Sequence, residues 1–296
     1  MKVFLTGSTG FVGNYVAERL IDGGHEVRAL VRRGSEKKLR VHQQCEIRNG
    51  DATDKNSLEK AMDGCDAVIH LVGIIREFES KGVTFRKLHV VGTANVADTA
   101  VEAGVRRFAH MSALGARPDA PTKYWNTKWE AEQYLRTLDL DLTVFRPSVI
   151  IGRGGEFAAL LKQMVSIPIT PVIGSGENKM QPVAVWNIAD FFVRALEEPA
   201  TIGKAYEVGG PSVMTYNEML RETGRFFGKK VRLIHFPTTP FKIATGIFER
   251  FSLWPITSDQ MGMLAEDGVC DNSPLLTDLP SEPASFKEAI SHAFGF

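Results

Sequence analysis

The sequence has no excess charge of either sign, few cysteines and no long apolar run. Lys plus Arg and Asp plus Glu both number 35, which argues against the strong positive field that nucleic-acid binding uses. Three scattered cysteines, Cys45, Cys65 and Cys270, are too few for a disulfide framework or a metal site. No stretch reaches transmembrane length, and the chain begins directly with strand-like residues. We therefore expect a soluble, cytoplasmic, globular protein with reduced thiols, no metal and no nucleic-acid partner.

Apolar runs alternate with amphipathic stretches through the first half of the 296 residues, which predicts a parallel sheet covered by helices. We predict strands at Lys2–Leu5, Glu26–Val31, near Cys45–Arg48, Ala67–Leu71, Arg107–Met111 and Leu142–Phe145. We predict helices near Val12–Asp22, Lys55–Met62, Phe85–Ala103 and Tyr124–Leu138. The expected class is α/β, a doubly wound Rossmann domain with a smaller C-terminal α/β cap lobe. Residues 1–150 would form the nucleotide domain with 180–210 returning to its sheet, and 151–179 with 211–296 the lobe.

A glycine-rich turn lies between the first strand and the first helix. Its residues are Thr6-Gly7-Ser8-Thr9-Gly10-Phe11-Val12-Gly13. Gly7 would allow a tight turn, Gly10 would let backbone amides approach a pyrophosphate, and Gly13 would let the helix pack close to the strand. The helix N-terminus adds a partial positive charge that faces the phosphates. We predict a dinucleotide site formed by residues 7–13, with an ordinary flexible turn as the alternative.

The end of the second strand carries two arginines where an NAD site usually has a carboxylate. Arg32 and Arg33 could bind a 2′-phosphate, so we favour NADP(H) over NAD(H); solvated side chains on a basic loop are the alternative. After the third strand, Asp51 and Ala52 would contact the adenine end, although Asp51 could equally cap a helix.

Tyr124 and Lys128 stand four residues apart on a predicted helix, so they share one face. A tyrosine can exchange a proton with a carbonyl or hydroxyl group, and a neighbouring ammonium would lower its pKa by favouring the phenolate. Ser112, at the end of the fifth strand, completes the candidate catalytic set. An exposed helical pair is the alternative interpretation.

Together these motifs resemble the extended and atypical branch of the short-chain dehydrogenase/reductase superfamily, the NAD-dependent epimerase/dehydratase-like proteins. The resemblance also uses Gly50-Asp51-Ala52, His70-Leu71-Val72-Gly73, Phe145-Arg146-Pro147-Ser148 and Gln181-Pro182-Val183. Within that branch the chain is similar to bacterial relatives of the nucleotide-binding accessory subunit of respiratory complex I. Two later segments, Ile256–Gln260 and Leu264–Val269, carry that closer similarity.

The resemblance implies a Rossmann core, a small substrate lobe and bound NADP(H). It implies that Tyr124 is a general acid/base, that Lys128 modifies its pKa and binds ribose, and that cofactor-lining residues are Leu71, Val72, Gly73 and Pro147. Two positions depart from the extended pattern. Ala113 occupies the usual serine position, one place after Ser112, and His89 stands where an asparagine is common. Both departures count against turnover but not against cofactor binding. Positioning a substrate carbonyl needs hydroxyl and amide partners, whereas binding the cofactor needs neither the serine nor the asparagine.

Two functions remain open from the sequence. The first is an NADP(H)-dependent oxidoreductase acting on a carbonyl or alcohol, with an epimerase or dehydratase of nucleotide sugars as a variant. The second is a non-catalytic NADP(H)-binding accessory, assembly or sensing protein. An amphipathic helix predicted over Phe236–Trp254 would be a cap helix or a surface for a protein partner or membrane. We expect His70, His89 and His110 to be structural, and Arg146 to fix the exit from its strand.

Overall fold

The computed structural model describes residues 1–241, 245 and 257–295. The strands are β1 (Lys2–Thr6), β2 (Glu26–Val31), β3 (Glu46–Asn49), β4 (Ala67–His70), β5 (Arg107–Met111), β6 (Asp141–Pro147), β7 (Ile150–Ile151), β8 (Ile169–Ile173), β9 (Lys179–Met180), β10 (Val183–Ala184), β11 (Ala205–Val208), β12 (Met214–Thr215) and β13 (Arg232–Phe236). The helices are α1 (Phe11–Asp22), α2 (Gly92–Glu102), α3 (Lys123–Arg136), α4 (Glu156–Val165), α5 (Val185–Glu197), α6 (Tyr216–Phe226), α7 (Ser258–Met263), α8 (Ser273–Asp278) and α9 (Phe286–Phe294). Most of the helix predicted over Phe236–Trp254 lies outside the described residues.

Seven strands form the central sheet in the order β11-β6-β5-β4-β1-β2-β3. The neighbouring pairs from β3 to β6 are parallel. Strand order reverses between β1 and β4, and such a reversal is where α/β sheets bind ligands at the carboxyl ends of their strands. The predicted doubly wound Rossmann class is confirmed.

Strand register places two rows of side chains across one face of this sheet. The inner row, Phe4, Val68, Phe108 and Leu142, packs in the apolar core with Val96 and Leu135 of the covering helices. Two residues further along, the next row consists of Thr6, His70, His110 and Val144. The core therefore becomes polar where the strands approach their carboxyl ends.

The helix predicted over Lys55–Met62 is wrong. Only Lys55–Leu58 forms a turn of 3₁₀-helix. The Ser57 hydroxyl contacts the Asp51 amide at 2.9 Å and the Asp54 carbonyl at 2.8 Å, which closes a local turn. Lys60 then adopts a φ of 55°, which a right-handed helix does not allow.

The long helix predicted over Phe85–Ala103 begins irregularly. Arg86–Val91 is π-helical, and the Gly92 N–H donates to the carbonyl of Lys87, five residues earlier. Regular α-helix follows from Gly92. Such π-turns occur frequently at functional sites, and this one contains His89.

Two compact units divide the chain. The first comprises 1–147, 186–207 and 272–281, and the second comprises 148–185, 208–271 and 282–296. The sequence placed all of 211–296 in the lobe, whereas 272–281 belongs with the first unit. The reason is that Asp278 pairs with Lys204 at 2.6 Å and accepts a hydrogen bond from the Tyr206 hydroxyl at 2.5 Å, while Leu275 is buried.

The second unit contains short strand pairs and helices. Strand β7 pairs with β10 in parallel, β8 with β13 in parallel, and β9 with β12 antiparallel. The buried Gln181 side chain ties this unit together, because its amide donates to the Gly210 carbonyl at 2.8 Å and accepts from the Cys270 N–H at 3.0 Å. All three cysteines are free thiols. Within the described residues, no helix has the length and apolar character needed to cross a membrane.

Candidate functional site

The glycine turn is built by close backbone contacts. Gly7 has a φ of 71°, and a Cβ at Gly7 would come within 2.9 Å of the Leu71 carbonyl carbon. A Cβ at Gly13 would come within 2.1 Å of the Gly7 carbonyl oxygen. The backbone at Gly7 therefore lies directly against the Leu71–Val72 backbone after β4, and the first turn of α1 lies directly against Gly7. A side chain at either position would displace backbone atoms.

The first turn of α1 keeps its amides available for an anion. Its N-cap is Gly10, which has no side chain to bond them, and Phe11 and Val12 follow directly. Orphan N–H groups at a helix start, together with the helix dipole, suit a pyrophosphate. The buried Ser8 hydroxyl donates to the Leu30 carbonyl at 3.2 Å, so a contact of Ser8 with the cofactor through its backbone stays a prediction. The turn and helix start therefore fit the phosphates of a dinucleotide.

Asn14 connects this turn to the loop after β2. Its amide donates to the carbonyls of Gly10 and Lys38 at 2.9 and 3.1 Å, and its oxygen accepts from the Arg40 N–H at 2.7 Å. Arg32 and Arg33 stand on the same loop and are exposed. Neither guanidinium has a hydrogen bond or ion pair with another described residue. Two unpaired cations thus follow the strand next to the glycine turn.

Asp51 closes a local turn rather than capping a helix, since the N-cap of the short segment Lys55–Leu58 is Asp54. Its Oδ1 accepts from both the backbone N–H and the hydroxyl of Thr53, each at 2.9 Å. Ala52 is buried, and its carbonyl accepts from the Asn95 amide at 3.0 Å. Contact of Asp51 and Ala52 with adenine stays a prediction.

Helix α3 carries the candidate catalytic pair. Thr122 caps it by accepting from the Trp125 N–H at 3.2 Å, so Tyr124 lies in the first turn and Lys128 in the second. Lys128, Glu132 and Leu135 follow at the spacing of one helical face, and all three are buried against the sheet. The helix thus places two charged side chains, Lys128 and Glu132, in the protein interior.

Lys128 is 2% exposed and donates to the Met111 carbonyl at 3.0 Å. Burial lowers its pKa to about 8, opposed by the nearby Glu132 carboxylate. A Cβ at Gly73 would lie 2.9 Å from the Lys128 ammonium, so the absence of a side chain there makes room for the amine. The structure thus places Gly73 and Lys128, two predicted site residues, next to each other.

Tyr124 differs from expectation in its acidity. The sequence predicted that Lys128 would lower the tyrosine pKa; burial instead raises the pKa of Tyr124 to about 12, because a phenolate is poorly solvated there. The ring meets His89 edge to face at 5.4 Å and Phe85 at 5.7 Å. At neutral pH the hydroxyl keeps its proton and is suited to donate it.

Ser112 and His110 are buried polar residues beside the Met111 carbonyl. Neither the Ser112 hydroxyl nor either ring nitrogen of His110 has a hydrogen-bond partner among the described residues. His70, which stacks on His110 at 5.5 Å, contacts the hydroxyls of Thr6 at 2.7 Å and Thr93 at 3.0 Å. His70 is therefore structural, through hydroxyl rather than backbone partners. His110 does not have the backbone partner that its strand-end position suggested.

A buried ion pair supports α3 from β6. Arg146 donates two hydrogen bonds to Glu132, at 2.9 and 2.6 Å, and the Glu132 side chain is 0% exposed. Arg146 thus fixes its strand to helix α3, and next to it the Pro147 carbonyl accepts from the Leu114 N–H at 2.9 Å. Sequence reasoning missed Glu132, although its position four residues after Lys128 was a signal. Among the described residues, no cluster of His, Cys, Asp and Glu could hold a metal ion.

These features first define a class: a dinucleotide-binding Rossmann protein with the Tyr–Lys helix of extended short-chain dehydrogenases/reductases. The chain belongs to the NAD(P)H-binding family, whose profile matches residues 7–199. Its similarity to epimerase-like relatives confirms the superfamily. It therefore binds a nicotinamide cofactor.

Similar proteins have several different functions. The mitochondrial 40 kDa subunit of NADH-ubiquinone oxidoreductase from Neurospora crassa is 26% identical over 292 residues, covering 97% of this chain and 76% of that protein. Ceramide reductase from Caulobacter vibrioides is 26% identical over 287 residues, covering 95% and 89%. The structure of UDP-glucose 4-epimerase from Thermotoga maritima matches with a TM-score of 0.78 at 18% identity, covering 99% of this chain and 97% of the other. The fold is thus shared across different activities.

Proposed function

We propose that the protein is an NADP(H)-dependent oxidoreductase that acts on a carbonyl or alcohol, with Tyr124 as the proton donor for reduction. The observation that carries the proposal is the placement of a buried Lys128 amine against Gly73, one helical turn after a half-buried, protonated Tyr124. A charged amine is buried in a protein core only at considerable free-energy cost, which favours a functional role.

The chain's own residues fit a dinucleotide phosphate. Gly7, Gly10 and the first amides of α1 would hold the pyrophosphate, and Arg32 and Arg33 would hold a 2′-phosphate. When bound, the reduced nicotinamide supplies a hydride to the carbonyl carbon, so the protein must supply a proton to the oxygen. Tyr124 has that proton at neutral pH, and the ammonium of Lys128 stabilises the phenolate left behind.

Turnover tests the proton donor. Nucleotide-stripped protein is assayed for NADPH oxidation against a panel of aldehydes and ketones, with Tyr124→Phe and Tyr134→Phe as variants. Tyr134 is the matched control, because it lies on the same helix with its hydroxyl on Asp98 at 2.6 Å. We expect Tyr124→Phe to lower kcat by roughly 10²–10⁴-fold with NADPH affinity retained, and Tyr134→Phe to change neither. Undiminished turnover in Tyr124→Phe would refute the assignment.

Nucleotide preference tests the arginines. We expect NADPH to raise the thermal midpoint of the protein more than NADH does, and a variant with Arg32→Ser and Arg33→Asp to lose that difference. Exposed lysines of the second unit provide the control, with Lys229→Ser and Lys230→Asp leaving the preference intact. Equal midpoint shifts with both nucleotides in the unaltered protein would contradict the NADP(H) proposal.

The second candidate is an accessory protein that holds NADP(H) without turnover. It is favoured by the similarity to the Neurospora crassa 40 kDa subunit along 97% of this chain, and by Ala113 at the usual serine position. An accessory protein should retain nucleotide through purification and show no carbonyl-dependent oxidation with any member of the panel. Detectable oxidation that requires Tyr124 would exclude it.

A further inference from the structure

His89 is a buried histidine that touches two separate parts of the site. It lies in the π-helical turn Arg86–Val91 and is 1% exposed. One ring nitrogen, Nε2, is 3.1 Å from both the amide nitrogen and the carbonyl oxygen of Ile74, in the loop after β4. The other, Nδ1, is 2.9 Å from the Thr127 hydroxyl on α3. We propose that His89 is a positioning residue that links the cofactor-lining loop Val72–Ile74 to the helix carrying Tyr124 and Lys128; this rests on the proposed function.

The hydrogen-bond partners keep the His89 ring neutral. The Thr127 hydroxyl also lies 2.9 Å from the Lys123 carbonyl and 3.0 Å from the Tyr124 carbonyl. With a proton on Nδ1, the ring donates to Thr127 and accepts the Ile74 N–H; with a proton on Nε2, it donates to the Ile74 carbonyl and accepts from Thr127. Either neutral tautomer therefore bonds both segments. Burial together with the Lys128 charge lowers the pKa of His89 to about 2.

The ring also fills the space beside the proton donor. It stacks on Phe85 at 5.4 Å and meets Tyr124 edge to face at the same distance. A Cβ at Gly73 would lie 3.5 Å from its Nε2 and 2.9 Å from the Lys128 ammonium. Gly73 is therefore flanked by His89 and Lys128, so the imidazole and the amine together fix where this backbone runs.

The π-turn explains why position 89 can make these contacts. A helical turn closed by a bond to the fifth residue back, as between Gly92 and Lys87, rotates the preceding side chains relative to a regular α-helix. The local backbone thus departs from its regular form where the buried imidazole reaches both Ile74 and Thr127. His70 has no such link, since its partners Thr6 and Thr93 lie on β1 and α2.

Histidine NMR tests the linkage without any nucleotide. We expect the ¹⁵N spectrum of the unaltered protein to show His89 as a neutral ring fixed in one hydrogen-bonded tautomer throughout the pH range in which the protein is folded. A ring that exchanges freely between both tautomers, or one that titrates near its ordinary pKa, would overturn the proposal. His89→Ala identifies the signal, and the exposed His292→Ala is the control.

Two conservative variants separate the two contacts. His89→Gln can place an amide oxygen near Nε2 and keep the Ile74 contact, whereas His89→Asn can place an amide nitrogen near Nδ1 and keep the Thr127 contact. We expect NADPH affinity to fall roughly tenfold in His89→Asn and His89→Ala, as for loss of one buried hydrogen bond, and to stay within about threefold of the original in His89→Gln. Unchanged affinity in His89→Ala would overturn the proposal.

Fluorotyrosine incorporation reports on the proton donor itself. The ¹⁹F signal of position 124, identified with Tyr124→Phe, should titrate at lower pH in folded His89→Ala than in the unaltered protein, because water gains access to the phenol. An unchanged titration would mean that His89 does not position Tyr124. If the unaltered protein does not bind NADPH, the proposed function fails, while the histidine spectrum and the fluorine titration still decide the role of His89.

Discussion

Gly13 and Gly73 have different neighbours, and this predicts different consequences of adding a methyl group. A Cβ at Gly13 meets the Gly7 carbonyl oxygen at 2.1 Å, whereas a Cβ at Gly73 meets the movable end of Lys128 at 2.9 Å. We expect Gly13→Ala to destabilise the fold by about 1–3 kcal/mol and to abolish detectable NADPH binding, because backbone atoms must move. Gly73→Ala should change stability by less than about 1 kcal/mol but weaken NADPH binding. Urea unfolding and fluorescence titration measure both; similar behaviour of the two variants would contradict this description of the turn.

The buried amine of Lys128 predicts an unusual dependence of stability on pH. The pKa of Lys128 is about 8 in the folded protein and 10.5 in an unfolded chain. Between these values the unfolded chain binds a proton that the folded chain has lost, so stability rises with pH across this window. The rise attributable to Lys128 is at most about 3 kcal/mol.

Urea unfolding of nucleotide-free protein from pH 7.5 to 10 measures this rise. We expect the free energy of unfolding of the unaltered protein to increase relative to that of Lys128→Met, while Lys123→Met, on the same helix, keeps the increase. If the difference in the free energy of unfolding between the unaltered protein and Lys128→Met stayed constant with pH, folding would not lower the pKa of Lys128.

At the scale of elements, helix α3 is attached to strand β6 by the pair Glu132 and Arg146. Glu132 also accepts from Arg136 at 3.2 Å, so its removal leaves two guanidinium groups without their carboxylate, and Glu132→Met should destabilise the fold by about 3–5 kcal/mol. The double variant with Arg146→Met should lose less than the sum of the two single losses. A double-mutant cycle in urea measures the coupling, and additive losses would mean that the pair does not hold the helix to the strand.

The regular elements of the first unit were predictable because their apolar periodicity is simple. Strands β2 and β5 have the bounds that the sequence predicted, and α1 and α3 begin within one residue of theirs. The segment 55–62 was misassigned because hydrogen bonds of the Ser57 hydroxyl override helix propensity. The π-turn at His89 was missed because it depends on tertiary contacts with Ile74 and Thr127, which no local pattern encodes.

The parts of the candidate site that depend only on the spacing of residues along the chain could be predicted. These parts are the glycine turn and the shared helix face of Tyr124 and Lys128. The pKa of Tyr124 was predicted in the wrong direction, because the degree of burial cannot be read from the spacing of two residues. The pairing of Glu132 with Arg146 likewise required knowing that α3 faces β6.

For the whole molecule, three buried histidines predict sensitivity to acid. Burial lowers the pKa of His70 to about 3 and that of His89 to about 2, and lowers the pKa of His110 well below its ordinary value. The unfolded chain binds protons at these rings below about pH 6.5, so stability is complete above that pH and falls as the pH drops. His70 and His89 should each remove about 2 kcal/mol by pH 5, and His110 acts in the same direction.

A loss of about 4 kcal/mol from these two rings is a large part of the stability of a typical domain, so we expect the urea midpoint to fall steeply between pH 7 and 5. His110→Leu should lessen this fall. It should also raise stability at pH 7 by about 1–3 kcal/mol, since it removes two buried nitrogens without described partners. A variant less stable than the unaltered protein at pH 7 would show that these nitrogens are satisfied in solution.

The most direct measurement is an equilibrium titration of nucleotide-free protein with NADPH and with NADH, followed by the fluorescence of the reduced nicotinamide. We expect saturable binding of one NADPH per chain at the glycine turn, at least about tenfold tighter than NADH, as a charge-assisted contact of Arg32 and Arg33 to one phosphate would provide. Absence of saturable binding by either nucleotide would show that the glycine turn does not hold a dinucleotide.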